Sequence, residues 1–236
     1  MNARIQDSLV LPPIQAFIDL IRANAKENMV VAEVGVYDGS TTFGYADIIK
    51  ENNGHLYLVD WFKGNEGNEG THYYREDGDP LFNSVQNEVK KRGLSNHVTI
   101  LYGKSGDMAR HIKNDELDIC FLDADHTFKG CSNDIRVYYP KVKHGGIISG
   151  HDCEDINISH LFRPEDMFVD FLEGISLKER GITSVDGCHP GVITAVYNRF
   201  QNTVDIIPDP KGQDIPIWVK RVNKSEDKIH TIPKFV

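Results

Sequence analysis

The stretch VVAEVGVYDGSTTFGYADIIKENNGHLYLVDWF, residues 30–62, contains the pattern on which the predicted fold is based. It begins with a continuous apolar run, passes through a turn and an amphipathic segment, and ends in a second apolar run. Continuous apolar runs are typical of strands buried on both faces of a parallel sheet, and the amphipathic segment is typical of the helix that connects two such strands. Residues 30–62 therefore predict a strand–helix–strand unit, with a Ser/Thr cap opening the helix at Ser40.

The same alternation of apolar runs and amphipathic segments extends over most of the chain. A leading helix is predicted within residues 1–29, where a proline pair precedes apolar residues at helical spacing. Further strands are predicted at HVTILYG, LDICFLDA and GGIISG, and further helices at LFNSVQNEVKKRG, GDMARHI and SNDIRVYYPKV. Five strands that alternate with helices indicate a parallel sheet covered on both faces.

The pattern changes after residue 190. GVITAVYNRF and IPIWVKRV follow each other with only the turn-rich QNTVDIIPDPKGQD between them, so an antiparallel pair is predicted at the sheet edge. The predicted fold class is α/β: a Rossmann-like, seven-stranded, mostly parallel sheet with helices on both faces and a C-terminal antiparallel hairpin. Residues 1–236 are expected to form one domain, because this length and a hydrophobic content of 40% suffice for one full core.

The composition limits the cellular locations and the kinds of binding partner that can be expected. No run approaches the roughly 18 to 20 apolar residues of a membrane helix, and the first residues lack the apolar stretch of a signal peptide. The four cysteines include no C-x-x-C pair, which argues against a thiolate zinc site or a disulfide framework. A net charge of -9 disfavours a nucleic-acid partner. We therefore expect a cytoplasmic protein with a small-molecule partner and no membrane contact, which could also form a homo-oligomer.

The turn after the first strand is acidic. Gly35 and Gly39 are four residues apart, so the turn lacks the second glycine of G-x-G-x-x-G, and no lysine follows it as in a P-loop. Glu33 and Asp38 would repel a diphosphate but suit a ligand that carries a cationic amine. Asp60, at the tip of the second strand, suits ribose hydroxyls.

These residues resemble a known family. E-V-G-V-Y-D-G-S followed by V-D-W is similar to the cofactor-binding region of class I S-adenosylmethionine-dependent methyltransferases, over about residues 30–200. The resemblance implies S-adenosylmethionine as the cofactor. The cofactor-binding residues that it implies are Glu33, Gly35, Tyr37, Gly39, Ser40, Asp60, Trp61, Ser105 and Asp123.

The segment FLDADHTFKGCSNDIRVYYPKVKHGGIISGHDC, residues 121–153, resembles a narrower branch. An acid-x-acid-His strand tip, a helix, GG, an apolar strand and HD follow each other as in metal-dependent O-methyltransferases of natural-product sugars and macrolides. The resemblance implies a metal site at Asp123, His151 and Asp152, and His126 as the general base. His151 stands where these relatives usually carry a carboxylate. Mg²⁺ is the expected ion, while an imidazole ligand also suits other divalent metals.

The chemistry explains why these groups would be needed. Methyl transfer to a hydroxyl requires that the hydroxyl loses its proton, and an alcohol does not lose it unaided at neutral pH. A divalent ion at Asp123 and Asp152 would lower the pKa of the hydroxyl and fix its position. His126 could then accept the proton.

Structural roles compete with these assignments. Asp125 could orient His126 or be a solvated acid at the helix start, His151 could cap backbone carbonyls, and His189 could enter the site or belong to a turn. Residues 63–80 and 153–190 are variable segments expected to form a lid and the acceptor pocket. Candidate residues in these segments are His72, Tyr73, Tyr74, Arg75, Phe162, Met167 and Phe168.

The residues by themselves leave other functions open. A metallohydrolase could use Asp123, His126, His151 and Asp152 as a metal cluster, but it would not need the acidic turn or Asp60. A non-catalytic nucleotide-binding module would bind the cofactor without turnover. The acceptor, the choice between O- and N-methylation, the metal and the oligomeric state are not determined by the sequence, since the acceptor pocket lies in the variable segments.

Overall fold

The structure is a computed structural model that describes residues 12–64, 74–212 and 214–225. His72 and Tyr73, two residues of the predicted lid, lie outside the described residues. No helix in the described part of the chain is both long and apolar enough to span a membrane.

A seven-stranded sheet forms the centre of the fold, in the order β3-β2-β1-β4-β5-β9-β8. Its strands are β1 (Val30–Val34), β2 (His55–Asp60), β3 (Val98–Tyr102), β4 (Leu117–Leu122), β5 (Val142–Gly150), β8 (Asp205–Ile207) and β9 (Ile217–Arg221). The first five strands are parallel, β9 is antiparallel to β5, and β8 is antiparallel to β9. The predicted α/β class, the mostly parallel sheet and the C-terminal hairpin are confirmed.

Helices cover both faces of the sheet. They are α1 (Gln15–Ala23), α2 (Ser40–Glu51), α3 (Asp79–Lys91), α4 (Ser105–Met108), α5 (Phe128–Tyr138), α6 (Gly174–Glu179) and α7 (Pro190–Phe200). Two apolar clusters hold these layers together, one with α1, α2 and α3 and the other with α5 and α7. Strand β4 supplies Ile119 and Phe121 to the first cluster and Cys120 and Leu122 to the second, which explains its continuous apolar sequence.

The prediction for GVITAVYNRF is wrong, because these residues belong to helix α7. Its β-branched residues suggested a strand. In the structure Pro190 occupies the first helical turn, and Val192, Val196 and Phe200 bury one face of the helix against the sheet. The strand that pairs with β9 is instead the short β8, which lies within the segment predicted as a loop.

The segment 153–190, called the insert below, is folded. It contains two short 3-10 helices, Ile156–Leu161 and Pro164–Phe168, the helix α6, and a two-stranded sheet of β6 (Leu172–Glu173) and β7 (Gly187–Cys188). The predicted single helix at GDMARHI is a four-residue helix, α4, followed by a 3-10 turn.

The strand ends bring the candidate residues together. Val34 is in register with Leu122, and Leu122 is in register with Gly150, so β1, β4 and β5 end side by side. The residues that follow these strands therefore gather at one edge of the sheet, called the carboxyl edge below. This is where open parallel sheets bind their ligands.

Candidate active site

The turn after β1 packs directly on the end of β4. Gly35 has a φ of 93°, and a Cβ atom there would lie 1.7 Å from the carbonyl oxygen of Asp123. Only glycine therefore allows the two backbones to approach this closely. Gly39, not Ser40, occupies the cap position of α2, and the Asp38 carboxylate accepts a hydrogen bond from the Ser40 N–H at 2.9 Å. The predicted Ser/Thr cap is wrong in this respect.

Asp60 holds the turn in place. Its carboxylate accepts hydrogen bonds from the backbone N–H groups of Val36 at 2.7 Å, Tyr37 at 2.8 Å and Phe62 at 2.5 Å. Burial raises the pKa of Asp60, and these N–H donors oppose that rise by stabilising the charged form. Asp60 also lines the main cavity. Asp60 therefore also stabilises the backbone of the turn after β1, a role that the sequence did not indicate.

Glu33 is buried beneath the same turn, with 1% of its surface exposed. One of its oxygens accepts hydrogen bonds from Thr42 Oγ1 at 2.6 Å and from Tyr45 Oη at 2.7 Å. Burial raises the pKa of Glu33 to about 8, although both hydrogen bonds act in the opposite direction. The carboxyl group is therefore mostly protonated at neutral pH, and a nearby cation would favour its ionised form.

The raised pKa of Glu33 predicts a pH-dependent stability. Unfolded Glu33 ionises near pH 4.5 and folded Glu33 near pH 8, so the folded state binds more protons between these values. Its contribution to stability is complete below pH 4.5 and is lost as the pH rises to 8, by up to about 1.4 kcal/mol per pH unit. Glu33→Gln, which keeps the acceptor oxygen, should remove this loss.

Urea unfolding at pH 5.5 and pH 8 tests this prediction. The midpoint should fall more in the wild type than in Glu33→Gln, and the exposed Glu51→Gln variant should behave like the wild type. Equal pH dependence in all three proteins would show that Glu33 ionises normally in the folded state.

The other predicted cofactor residues also reach the carboxyl edge. Tyr37 accepts a hydrogen bond from Arg75 Nη2 at 3.1 Å, and the Arg75 guanidinium lies 4.9 Å from its ring centroid. Lys104 Nζ lies 5.0 Å from the ring centroid of Trp61. Ser105 begins α4 and donates its hydroxyl to Asp134 at 2.6 Å. Burial raises the pKa of Asp134 to about 7.

A cavity of about 490 Å³ opens at the carboxyl edge. This volume lies within the usual range for small-molecule sites. Eight of the nine predicted cofactor residues line it, all except Gly39, together with two further predicted metal ligands, His151 and Asp152. Its carboxylates are Glu33, Asp38, Asp60, Asp123, Asp125, Asp152, Asp170 and Asp214, and Lys104 is the only lysine or arginine among its described lining residues.

The three predicted metal ligands form a compact group. One ligand atom from each of Asp123, His151 and Asp152 lies within 4.8 Å of the other two. His151 Nδ1 is 3.1 Å from Asp152 Oδ1 and 3.9 Å from Asp123 Oδ1. The pKa of Asp152 is held well below its ordinary value because the neighbouring imidazoles outweigh the effect of its burial.

His126 lies beside this group. Its Nε2 is 3.0 Å from Asp152 Oδ2 and 3.5 Å from Asp123 Oδ1, and its Nδ1 is 3.0 Å from Asp170 Oδ1. Burial lowers the pKa of His126, but the three carboxylates outweigh burial and raise it well above its ordinary value. His126 borders a small adjoining cavity and is not among the described residues that line the larger one.

Helix α7 supports the position of His126. A Cβ atom at Gly191 would lie 2.3 Å from the carbonyl oxygen of His126. The first turn of α7 therefore packs on the backbone of the loop between β4 and α5, which contains His126. Asp125 accepts a hydrogen bond from the Thr127 N–H at 2.9 Å, as an acid at the helix start does. Asp170, and not Asp125, is therefore the carboxylate at His126 Nδ1.

His189 enters the site from the insert. Its Nδ1 is 2.7 Å from Glu154 Oε1 and 3.6 Å from Asp152 Oδ1, and its ring centroid is 5.1 Å from that of His126. Asp170 and Glu154 were missed by the sequence analysis, because each lies 35 or more residues from the histidine that it binds. No local pattern marks either acid.

The three predicted pocket residues of the insert, Phe162, Met167 and Phe168, are not among the described residues that line the larger cavity. Phe162 packs against the core, and Phe168 is 78% exposed. The insert instead supplies Asp170 and His189 to this cavity.

The donor atoms of this site are suited to a divalent cation. Two carboxylates and an imidazole converge here, and Asp152 also belongs to a second group of three with His126 and His189. Carboxylate oxygen and imidazole nitrogen are common ligands of divalent metals. Asp123, His151 and Asp152 could therefore hold such an ion.

Comparison with known proteins gives a family match. A family model described as a methyltransferase domain matches residues 32–153, just over half of the chain. This range contains the last three residues of β1, the turn after it, β4 and the HD pair after β5. No curated protein matches the chain significantly in sequence.

Several solved structures share the fold. A candidate caffeoyl-CoA O-methyltransferase from Staphylococcus aureus has a TM-score of 0.55 and 14% identity, over 87% of this chain and 80% of that one. An S-adenosylhomocysteine-bound methyltransferase from Podospora anserina has a TM-score of 0.54 and 13% identity, over 89% and 78%. An rRNA methylase from Streptococcus thermophilus has a TM-score of 0.53 and 8% identity, over 91% and 99%. At these identities the likeness concerns the fold alone.

Proposed function

The chain belongs to the methyltransferase-domain family and is an S-adenosylmethionine-dependent methyltransferase, and we propose that it methylates a hydroxyl oxygen of a small acceptor molecule. The proposed ligands of a divalent cation are Asp123, His151 and Asp152, and His126 is the proposed general base. The observation that carries this proposal is the convergence of these four residues beside the acidic turn at the carboxyl edge.

The acidic turn supports S-adenosylmethionine as the methyl donor. The donor carries a sulfonium and an amino group, both cationic, and Glu33 and Asp38 offer carboxyl groups on the cavity wall. The high pKa of Glu33 suits this role, because a cationic amine beside it would favour the ionised carboxylate. Asp60 has lone pairs left for ribose hydroxyls besides its three backbone contacts.

Methyl transfer to a hydroxyl releases a proton, and His126 is the proposed acceptor of that proton. As the methyl carbon leaves sulfur for the acceptor oxygen, the hydroxyl proton must go to a base, and S-adenosylhomocysteine remains. A neutral His126 requires that the charges of Asp123 and Asp152 are balanced by another positive charge, because these carboxylates hold the imidazole in its charged form. A divalent cation would supply that charge and, as a Lewis acid, make the hydroxyl proton easier to remove.

The charge of the cavity supports a small acceptor without phosphate groups. Carboxylates surround the carboxyl edge, and Lys104 is the only lysine or arginine among the described lining residues. Phosphates would therefore be repelled from this opening. A nucleic acid or a coenzyme A thioester fits this environment poorly, whereas a neutral or cationic hydroxylated molecule fits it well.

Calorimetric titration with S-adenosylhomocysteine, with NAD as the control ligand, tests the proposed cofactor. We expect a dissociation constant of about micromolar order for the first ligand and no binding of the second. Matched hydroxyl and amine acceptors would then be compared with and without added divalent metal. No S-adenosylhomocysteine binding by folded protein, or transfer to amines that is independent of metal, would contradict the proposal.

Asp60→Ala should weaken cofactor binding. The substitution removes the carboxylate that faces the ribose and releases the backbone N–H groups of Val36 and Tyr37. The dissociation constant for S-adenosylhomocysteine should rise about 10-fold or more, since a lost hydrogen bond to a charged group costs about 1.5 to 3 kcal/mol. Asp47→Ala, on the exposed side of α2, should leave it unchanged. Equal affinity in both variants would refute the role of Asp60.

A further inference from the structure

We infer that the cation of this site is a transition metal that accepts imidazole nitrogen, with His189 among its ligands, and that the site disfavours Mg²⁺. The inference rests on the proposed function, since it concerns the same cation site. It adds a metal ligand from the insert, His189, and it specifies the class of metal that the site binds.

Three imidazoles surround the carboxylate of Asp152. His151 Nδ1 lies 3.1 Å and His189 Nδ1 3.6 Å from Asp152 Oδ1, while His126 Nε2 lies 3.0 Å from Asp152 Oδ2. All three histidines come from different segments, the loops after β4 and β5 and the end of the insert. Their convergence on one buried carboxylate is therefore a product of the tertiary fold.

Each imidazole also has a hydrogen-bonding partner other than Asp152. Asp170 contacts His126 Nδ1 at 3.0 Å, and the carbonyl oxygen of Ile215 contacts His151 Nε2 at 3.2 Å. Such outer partners are characteristic of metal-binding histidines, in which one ring nitrogen binds the metal and the other donates to a carboxylate or a carbonyl. This arrangement fixes the tautomer and the direction of the ring.

His189 has the most complete support of this kind. Glu154 accepts a hydrogen bond from the backbone N–H of His189 at 3.2 Å and contacts its Nδ1 at 2.7 Å. Both residues are largely buried. Because Glu154 occupies Nδ1, the Nε2 lone pair of the neutral imidazole remains available for a metal ion. His189 also lines the main cavity.

The donor set decides the class of metal. Mg²⁺ prefers an octahedral shell of oxygen ligands and keeps several waters, whereas imidazole suits zinc, iron, copper and nickel. Asp123 and Asp152 supply carboxylate oxygens and His151 supplies a nitrogen in one group of converging ligands, and His189 supplies a nitrogen beside Asp152 in the other. Two carboxylates with two imidazoles are a ligand set for a transition metal.

Metal titration of the metal-free protein tests the inference. Co²⁺ binding is followed by visible absorption, and Zn²⁺ and Mg²⁺ binding by calorimetry. We expect Zn²⁺ to bind at least about 100-fold more tightly than Mg²⁺. His189→Ala should weaken Co²⁺ binding at least about 10-fold, and Glu154→Gln should weaken it by a similar factor. His160→Ala, an exposed histidine of the same insert, should bind Co²⁺ like the wild type.

The outcomes separate this inference from the proposed function. Mg²⁺ binding as tight as Zn²⁺ binding, or equal Co²⁺ affinity in His189→Ala and His160→Ala, would overturn the inference. If His189→Ala does not fold, an unchanged Co²⁺ affinity in Glu154→Gln would overturn the role of His189. S-adenosylhomocysteine is titrated into the same preparations. Its failure to bind would refute the proposed function, while tight Zn²⁺ binding would still support the metal inference.

Discussion

Asp152→Asn is expected to reduce metal-dependent methyl transfer at least about 10³-fold. Asp152 is shared by both groups of converging ligands, so its charge is the centre of the proposed cation site. A Lewis acid contributes several kcal/mol to such a reaction, and each 1.36 kcal/mol corresponds to a factor of ten in rate. Asparagine has nearly the same shape but carries no charge. It also tolerates the left-handed backbone of Asp152, whose φ is 61°.

The measurement is the rate of methyl transfer across a range of metal concentrations. Asp115→Asn is the matched control, because Asp115 also has a positive φ, of 57°, but pairs with Lys224 away from the site. The control should keep the wild-type rate, and both variants should bind S-adenosylhomocysteine. A metal response in Asp152→Asn that equals the wild type would refute the assignment of Asp152 as a ligand.

His126→Ala is expected to lower turnover about 10²-fold or more while leaving cofactor affinity nearly unchanged. The magnitude is the usual contribution of a general base. His126 contacts Asp123 and Asp152 and borders the adjoining cavity, so it lies close to the cation site without lining the wall of the main cavity. Catalytic hydrogen bonds often form only in the complex with substrate, which is compatible with this position.

Single-turnover rates and calorimetry on the same variant separate a base from a structural residue. His144→Ala is the matched control and should retain turnover, because His144 is an exposed residue near the start of β5, away from the carboxyl edge. Loss of both turnover and cofactor binding in His126→Ala would identify His126 as a structural residue. An unchanged turnover would assign the proton transfer to another group.

The strand sequences were sufficient to predict the five parallel strands of the central sheet. Buried parallel strands are continuous apolar runs, and this pattern marked β1, β2, β4 and the end of β5. The local pattern failed at α7, because its β-branched residues fit a strand as well as a helix that is buried along one face. Packing against the sheet decided between the two.

The position of the candidate site was also predictable. Parallel strands end at the same edge, so residues that follow β1, β4 and β5 must gather there. Asp123, His151 and Asp152 do so, with ligand atoms within 4.8 Å of one another.

Sequence patterns alone predict the order of strands and helices as far as β5, the edge that carries the site, and the residue types that follow each of these strands. Three-dimensional folding determines which acid contacts which histidine, that Asp60 is bound by three backbone N–H groups, and that Glu33 is buried with a pKa of about 8. The reason is physical. Strand and helix patterns arise from neighbours within a few residues, whereas hydrogen bonds and burial depend on residues that are distant in the chain and meet only after folding.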